Sequence, residues 1–503
     1  MDNKNIKLFI TNNRKIINNN FTNKKYILIA DRLRFDAGIR QSLISKVFNE
    51  KGYVPILATS RPNSDYHEVY KSFGIEKILN TNLLSNKFFI LKNFPIVFIQ
   101  SIFVLLKYSH LGFEKFKFDF KIQNIRMGEQ IVDQYFRNDH SYMKGFLTFK
   151  FFKLLLVGFL KTKLIKTYIK KNNIKHTVAS TDCYLNESSI IVKISEHLKI
   201  LNVQAVRKTI KISSKPKDYK NHIYIVKKED IKRKELTIKN VEKYLKNRFQ
   251  GNVNHADVKN AFKNKIKNFD KKKFLKFFKL ENKNYKKIIL FAPHVFADCC
   301  STFGPFPFLN YYNFFTETLD KMKNIKDTFW IVKPHPTRHF WNEDSIVKDF
   351  VGAKNYSNIF LCPDKISTRD LLQHVDTVVT GRGTVAVEAA IFGKKTLTCG
   401  ASIYSEIDIS AKTNTKAEFF KKLNFHNYDF NLNKNQILRA KKALYFMGAY
   451  RWKQNSNIIP NMFTDHKNLN IYFKTINQNL KKFNFLNDIY YLNTKKEIET
   501  YIT

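Results

Sequence analysis

Two short segments hold the residues best suited to chemistry. Lys333-Pro334-His335-Pro336 directly follows an apolar strand candidate, Thr328–Val332. Proline fixes its own φ and restricts the residue before it, so the His335 imidazole is held in place rather than swinging freely. A rigid imidazole and an amine at a strand's carboxyl end suit a phosphate: protonated His335 can neutralise charge on a departing group, and Lys333 adds a point charge. The second segment, Thr380-Gly381-Arg382-Gly383-Thr384, runs into a helical pattern, Val385–Ala390. Its glycines let backbone amides approach a ligand, a helix start favours an anion, and Thr384 offers a hydroxyl. Glu388, one turn on, is placed to accept hydrogen bonds from ribose or sugar hydroxyls. Either segment alone also reads as an ordinary turn. Their order along one strand-helix series points to a phosphate-bearing ligand.

The elements that must position these residues follow from periodicity. Lys25–Ala30 is a strand candidate, followed by a polar turn, a helical pattern from Arg40 to Asn49 and a second strand, Val54–Ala58. A later copy runs through His176–Ala179, Tyr184–Leu198 and Val203–Val206, with a mostly helical insertion over about 83–170 between them. From Lys208 to Lys283 Lys and Asn dominate, and this stretch reads as a helical linker. A second series starts at Ile288, with strands Ile288–Ala292, Thr328–Val332, Ile359–Cys362, Thr377–Val379 and Lys395–Thr398. Alternating strands and helices predict parallel sheets with ligands at the strands' carboxyl ends. The expected fold class is therefore α/β: two doubly wound parallel-sheet domains facing a cleft, as in GT-B glycosyltransferases, with a helical insertion and a C-terminal helical tail. The expected boundaries are 1–207, 208–283 (linker), 284–418 (donor side) and 419–503 (tail).

That layout assigns further candidates. His294, in Ala292-Pro293-His294, and Asp298 leave the first strand of the second series and would orient the acceptor or assist proton transfer. In the first domain the turn with Asp31, Arg34, Asp36 and Gly38 faces the acceptor; Asp36 is the first choice as general base, with helix capping as the bland alternative. Arg126, Glu129, Asp133, Arg137, Asp182 and Tyr184 are weaker acceptor-side candidates.

Of 503 residues, 88 are Lys or Arg against 42 Asp or Glu, a formal charge of +46. The excess is nearly all Lys and comes with abundant Asn, Ile and Phe, which share A/T-rich codons; codon composition accounts for much of it. The remainder fits anionic lipid head groups or phosphorylated substrates. The five cysteines have no metal-ligand or disulfide spacing, and no signal peptide is evident in MDNKNIKLFI, so a cytoplasmic location is expected, peripheral on the inner face of the plasma membrane. The apolar run Phe94–Leu106 falls short of the roughly 20 residues a spanning helix needs and predicts a buried helix. Phe146–Leu164, with four interspersed lysines, suits an interfacial helix, or better a core helix whose lysines snorkel.

The order Ala292-Pro293-His294 with Asp298, then the Lys333–Pro336 turn, then the segment from Thr380 through Glu388 resembles the capsule polysaccharide biosynthesis family, which includes transferases of 3-deoxy-octulosonic acid to capsule lipid anchors. The resemblance is clear over about 286–410. It implies that His335 and Pro336 contact the donor phosphate, and that Thr384 and Glu388 are the hydroxyl residue and the acid of the second motif. Arg382 stands where that family more commonly has Ser or Gly. The implied activity is metal-independent transfer of a sugar from a nucleotide-sugar, a substrate and not a cofactor, onto a lipid-linked or growing surface polysaccharide. A neighbouring reading is a polyol-phosphate (glycerophosphate-type) transferase, whose usual turn carries Asp-Tyr-Ser-Ser. A reading of another class is a non-catalytic basic protein that binds membrane or nucleic acid. A nucleic-acid partner is not expected, because basic residues do not cluster with aromatics and no known module is present.

Overall fold

The computed structural model describes the chain except residues 1–3, 5–6, 9–10, 12–15, 23, 138–139, 181–182, 207–208, 216, 219–224, 254–255, 264, 266–269, 282, 284, 302–303, 355, 427, 452–455, 457, 459–473, 476, 480–482 and 503. It divides into two compact units, 1–135 with 145–223 and 451–503, and 136–144 with 224–450.

The first unit is built on a six-stranded sheet: β1 (Lys25–Ala30), β2 (Tyr53–Thr59), β3 (Lys77–Asn80), β4 (His176–Ala179), β5 (Leu201–Val206) and β6 (Thr209–Ser213). Their order is β3-β2-β1-β4-β5-β6, parallel throughout except for the antiparallel β5–β6 pair. Covering helices are α1 (Phe35–Asn49) and α2 (Asp65–Ser72). Helices on both faces leave no wet side to the sheet, which is why β1 and β2 read as unbroken apolar runs. Between β3 and β4 the insertion holds two long helices, α3 (Lys87–Asp119) and α4 (Phe149–Lys171). Helix α5 (Glu187–Leu198) starts on an Asn186–Ser189 capping box and leads into β5.

The second unit repeats the plan. Its strands are β7 (Lys287–Phe291), β8 (Thr328–Val332), β9 (Ile359–Leu361), β10 (Thr377–Thr380), β11 (Thr396–Cys399) and β12 (Ser410–Thr413). They run all parallel in the order β9-β8-β7-β10-β11-β12. Each unit thus has its order reversal beside its first strand, between the first and the fourth.

The structure corrects the expected organisation in four places. Segment 208–283 is not a linker. It supplies the edge strand β6 to the first unit, and its helices α6 (Ile238–Phe249) and α7 (Ala256–Phe262) bury Val241, Tyr244, Phe249 and Phe262 in one cluster with Ala386 and Val387 of the second unit. The tail is likewise split: Lys434–Tyr445 packs in that same cluster, whereas α8 (Ile489–Ile502) joins the first unit's core through Tyr491 and Ile498. The segment 136–144 belongs to the second unit, although the insertion surrounds it in sequence. Finally, the apolar run 94–106 is not buried; it lies on α3, largely exposed. In contrast α4 is a core helix, with Phe151, Leu155 and Ile165 buried, as the snorkelling alternative expected.

Phe249 distinguishes a packed element from a solvated linker. Its ring meets Phe262 at 5.4 Å and Phe392 at 5.5 Å. Phe249→Ala is expected to destabilise the second unit by about 3–5 kcal/mol, read from its urea midpoint, where an exposed linker position would give below about 0.5 kcal/mol.

Candidate active site

The second unit's sheet delivers its chemistry at the order reversal. Ala292, Lys333 and Cys362 each follow a strand and each make one more parallel ladder bond: Ala292 N–H to Val379 O (2.9 Å), Lys333 N–H to Phe291 O (2.9 Å) and Cys362 N–H to Val332 O (2.8 Å). Each is followed by a proline, at 293, 334 and 363. A residue before proline prefers extended backbone, and proline has no N–H to donate, so the ladder continues one step and then stops. Three neighbouring strands therefore end level, and the loops after them, with the turn after β10, line one cavity of about 460 Å³ within this unit. Its walls include His294, Lys333, His335, Gly383, Thr384 and Glu388.

His335 Nδ1 lies 3.1 Å from Thr337 Oγ1, and that hydroxyl donates to Asp257 Oδ1 at 2.8 Å. The Thr337 backbone N–H donates to the same Nδ1 at 3.4 Å, so Thr337, anchored on Asp257, fixes the His335 ring. Lys333 Nζ donates to Pro363 O at 3.3 Å; burial pulls its amine below the ordinary lysine value, opposed by the Cys362 thiol and by Asp364. His294 is the neutral counterpart. Its ring stacks on Tyr311 (centroids 4.2 Å) and lies 6.4 Å from His335. Its Nε2 accepts the Arg382 N–H at 2.9 Å, and burial, with His335 and Arg382 nearby, pushes it down to about 3. A ring whose Nε2 is so engaged holds the turn and does not shuttle protons, which displaces the proton-transfer role expected for it.

The turn itself is tightly enclosed. A Cβ on Gly383 would stand 2.9 Å from Thr380 Oγ1, which is itself bonded to Ala292 O at 2.8 Å. Gly381 sits against the His294 and Phe306 rings, where a Cβ would be at 3.4 Å. Arg382 departs from its expected part in donor binding. Its guanidinium is buried, donates to the carbonyls of Cys300, Gly304 (2.8 Å) and Pro305 (2.7 Å), and covers the Phe306 ring at 4.7 Å. It ties down the loop before Phe306 instead of lining the cavity. Thr384 is exposed, and its side chain makes no capping bond to the helix after it. Glu388 lies at the cavity wall with Oε1 taken by Arg248 Nε (3.0 Å) and Nη2 (2.6 Å). Burial raises its carboxyl, with Arg248 opposing, and its Oε2 accepts no hydrogen bond from the described residues.

Other candidates are dispersed. Asp298 is exposed and accepts the Cys299 N–H at 2.8 Å. In the first unit, Asp36 is buried with Oδ1 bonded to Arg34 (3.1 Å) and Oδ2 to Arg40 (2.8 Å), so the first choice as base is an ion-pair member. Asp31 accepts from Thr59 (2.7 Å) and Leu33 N–H (2.8 Å), and burial raises its carboxyl above the ordinary value. Gly38 lets α1 pack on the Tyr70 ring, where a Cβ would be 3.4 Å away. Arg126 is exposed and Asp133 buried, Glu129 starts a short helix, Tyr184 has a left-handed backbone, and Arg137 covers Trp341 at 4.9 Å; Asp182 lies outside the described residues. Among the described residues, no three His, Cys, Asp or Glu side chains converge to hold a metal ion.

The sequence reading missed Arg248, Asp257 and Thr337, the first two because their segment read as linker. It also missed Glu343, which accepts the Phe296 and Ala297 N–H groups (2.9 and 2.8 Å) and the Tyr142 hydroxyl (3.3 Å), so joining the loop after His294 to segment 136–144.

A cavity at the order reversal of a doubly wound sheet, in a chain with two such units, defines a GT-B-like α/β protein. Residues 200–448 match the family model described as capsule polysaccharide biosynthesis protein. Solved structures similar to it include KpsC of Thermosulfurimonas dismutans, a beta Kdo 2,4 transferase (10% identity, 53% of this chain and 79% of that one, TM-score 0.30). Others are a UDP-GlcNAc 2-epimerase of Methanocaldococcus jannaschii with UDP-GlcNAc and UDP (12%, 85% and 100%, 0.29) and a glycosyltransferase of Rickettsia africae (11%, 90% and 99%, 0.26). No curated protein matches the chain.

Glu343 supplies a pH test of this scaffold. Burial raises its carboxyl from 4.5 to about 7. Such a group is stabilising, relative to its ionised form, below the unfolded value, and that contribution is lost as pH rises through the folded one. In Glu343→Gln, which cannot ionise, the thermal midpoint relative to wild type should move in the variant's favour between about pH 5 and about pH 8. A pH-independent difference would place the charge change elsewhere.

Proposed function

We propose that this protein is a glycosyltransferase that moves a sugar from a nucleotide-sugar donor onto a lipid-linked or growing surface polysaccharide. The observation that carries the reading is the convergence of Lys333, His335, Thr384 and Glu388 on one cavity at the sheet's order reversal. The family match supports the polysaccharide context. In this reading the donor's phosphates lie against Lys333 and His335, the Thr384 hydroxyl donates to a phosphate oxygen, and the free side of Glu388 accepts from ribose.

Chemistry then follows from the groups present. As the bond between sugar and phosphate breaks, negative charge grows on the leaving phosphate. Protonated His335, held through Thr337 and Asp257, meets that charge at a fixed point, and Lys333 adds a second positive group in a poorly hydrated wall. The proposal assigns this work to protein groups and not to a metal ion. His294 stays neutral and keeps the Gly381–Gly383 turn in place.

A thermal-shift screen against UDP-, CMP-, GDP- and CDP-linked sugars should raise the midpoint for one class of donor, since binding stabilises by mass action. His335→Ala should lower turnover with that donor by about a hundredfold or more, with the fold unchanged by circular dichroism. Near-wild-type turnover in that variant would remove the assignment of the phosphate site.

A further inference from the structure

Helix α3 is patterned the wrong way round for water. A break at Gly112 (φ 75°) ends its long first run. Along that run the residues turned toward the protein are Asn93, Val97, Ser101 and Tyr108, spaced to form one stripe, and two of them are polar. The opposite face carries Leu91 (73% exposed), Ile96 (55%), Ile99 (54%), Phe103 (68%) and Leu106 (58%). A surface helix in water puts its apolar stripe inward and its polar face outward. Here an 18-residue window has mean hydropathy 2.0 with only 17% of it buried. No charged residue lies between Lys92 and Lys107. An exposed apolar face of this extent marks an interaction surface.

Charge decides what covers it. Lys92 and Lys107 bracket the uncharged run, positions from which an ammonium reaches a head-group layer while the stem stays in the apolar zone. Helix α4 packs on α3, with Phe98 and Phe152 meeting edge to face at 5.4 Å, and its sequence contains many lysines and no Asp or Glu. A second copy of the chain would bring the same lysines against these, at a formal charge of +46 per copy, so self-pairing sets like charges together. An anionic bilayer offers both halves of the complement: hydrocarbon for the face and phosphates for its lysine border. Beside α3, a cavity of about 430 Å³ adds apolar walls from Val97, Phe103, Val104 and Phe159 to the ammonium groups of Lys121 and Lys163.

We propose that α3 sinks its outward face into the surface of an anionic membrane and lies there in the interfacial plane. Its stripe from Asn93 to Tyr108 stays on the protein along the length of the run, so one side of the helix meets lipid and the helix does not cross. This interfacial mode joins apolar burial to electrostatic attraction. The inference stands apart from the transferase reading, since it uses no residue of the second unit.

The test uses the full chain and vesicles of phosphatidylcholine mixed with phosphatidylglycerol. Wild type should co-sediment with them and stay partly bound at high salt. The triple variant Leu91→Glu, Ile99→Glu, Leu106→Glu should lose about tenfold or more in partition with an unchanged urea midpoint, because all three positions face outward. A nitrobenzoxadiazole label on Ile99→Cys should shift to the blue on vesicle addition, which reports insertion without the charged variant. Equal partition of variant and wild type, complete release of wild type by salt, or a label that stays in water on bound protein would each overturn the proposal. So would wild-type protein that ignores vesicles and self-associates through this face.

Discussion

The candidate site depends on where three parallel strands stop. Ala292, Lys333 and Cys362 donate the last ladder bonds of β7, β8 and β9, and the prolines after them can donate none. Proline therefore acts twice at each exit: it biases the preceding residue toward the extended backbone that the ladder needs, and it removes the next donor. The result is a level edge from which three loops leave together. The turn after β10 completes it, because Thr380 Oγ1 holds the Ala292 carbonyl and the Arg382 amide holds His294. Backbone order here sets side-chain position directly. Lys333 is both the last ladder residue of β8 and the bearer of an amine in the cavity wall.

Around that edge, charge is divided between groups that can change protonation and groups that are fixed. His294 is stacked on Tyr311 and held neutral by burial, so it presents a steady acceptor to the turn. His335 is held through Thr337, whose backbone N–H reaches Nδ1 and whose hydroxyl is anchored on Asp257. Arg382 and Arg248 are spent on structure: one on three backbone carbonyls, the other on Glu388. A hydrogen bond to a charged group contributes about 1.5–3 kcal/mol, and leaving a buried guanidinium unpaired costs more than that gain. Several contacts on each cation are thus what burial demands, and they leave Lys333 and His335 as the positive groups of the cavity wall nearest its strand ends.

How much of this was legible in the sequence depended on whether one element carried its own signal. Buried parallel strands show as short apolar runs, so most strands of both sheets, the Lys333–Pro336 turn and the Thr380–Glu388 turn were readable; β3, β6 and β12 were not, being short and partly polar at the sheet edges. The segment 208–283 failed because α6 packs a narrow apolar face against a cluster made mostly by distant residues, and its lysines hid that face. Asp36 looked like a base because its ion pairs reach along the helix to Arg40 and back to Arg34, which spacing alone does not rank above catalysis. One signal was present and unused. Among the described residues the buried arginines are Arg40, Arg248, Arg382 and Arg451, against a single buried lysine, Lys117. Where codon composition drifts freely toward Lys, an Arg is retained where a planar, always-charged fork is needed. Arg248, in the stretch read as linker, was the mark of a buried partner.

The same reasoning explains why the helix α3 was misread. Length rules treat the run from Phe94 to Leu106 as too short to span and assign it to a core, as if those were the two available environments. A core helix must be apolar where it faces the protein, yet Asn93 and Ser101 lie there and their side chains bond back to Phe89 O and Val97 O, one turn earlier. Those bonds satisfy the polar groups locally and free the stripe to pack without further partners. Among the described residues nothing covers the apolar residues on the opposite face, and Lys92 and Lys107 bracket them. Composition does not separate a buried apolar helix from an exposed one; the direction in which each residue faces does, and direction is what the packing of α3 on α4 supplies.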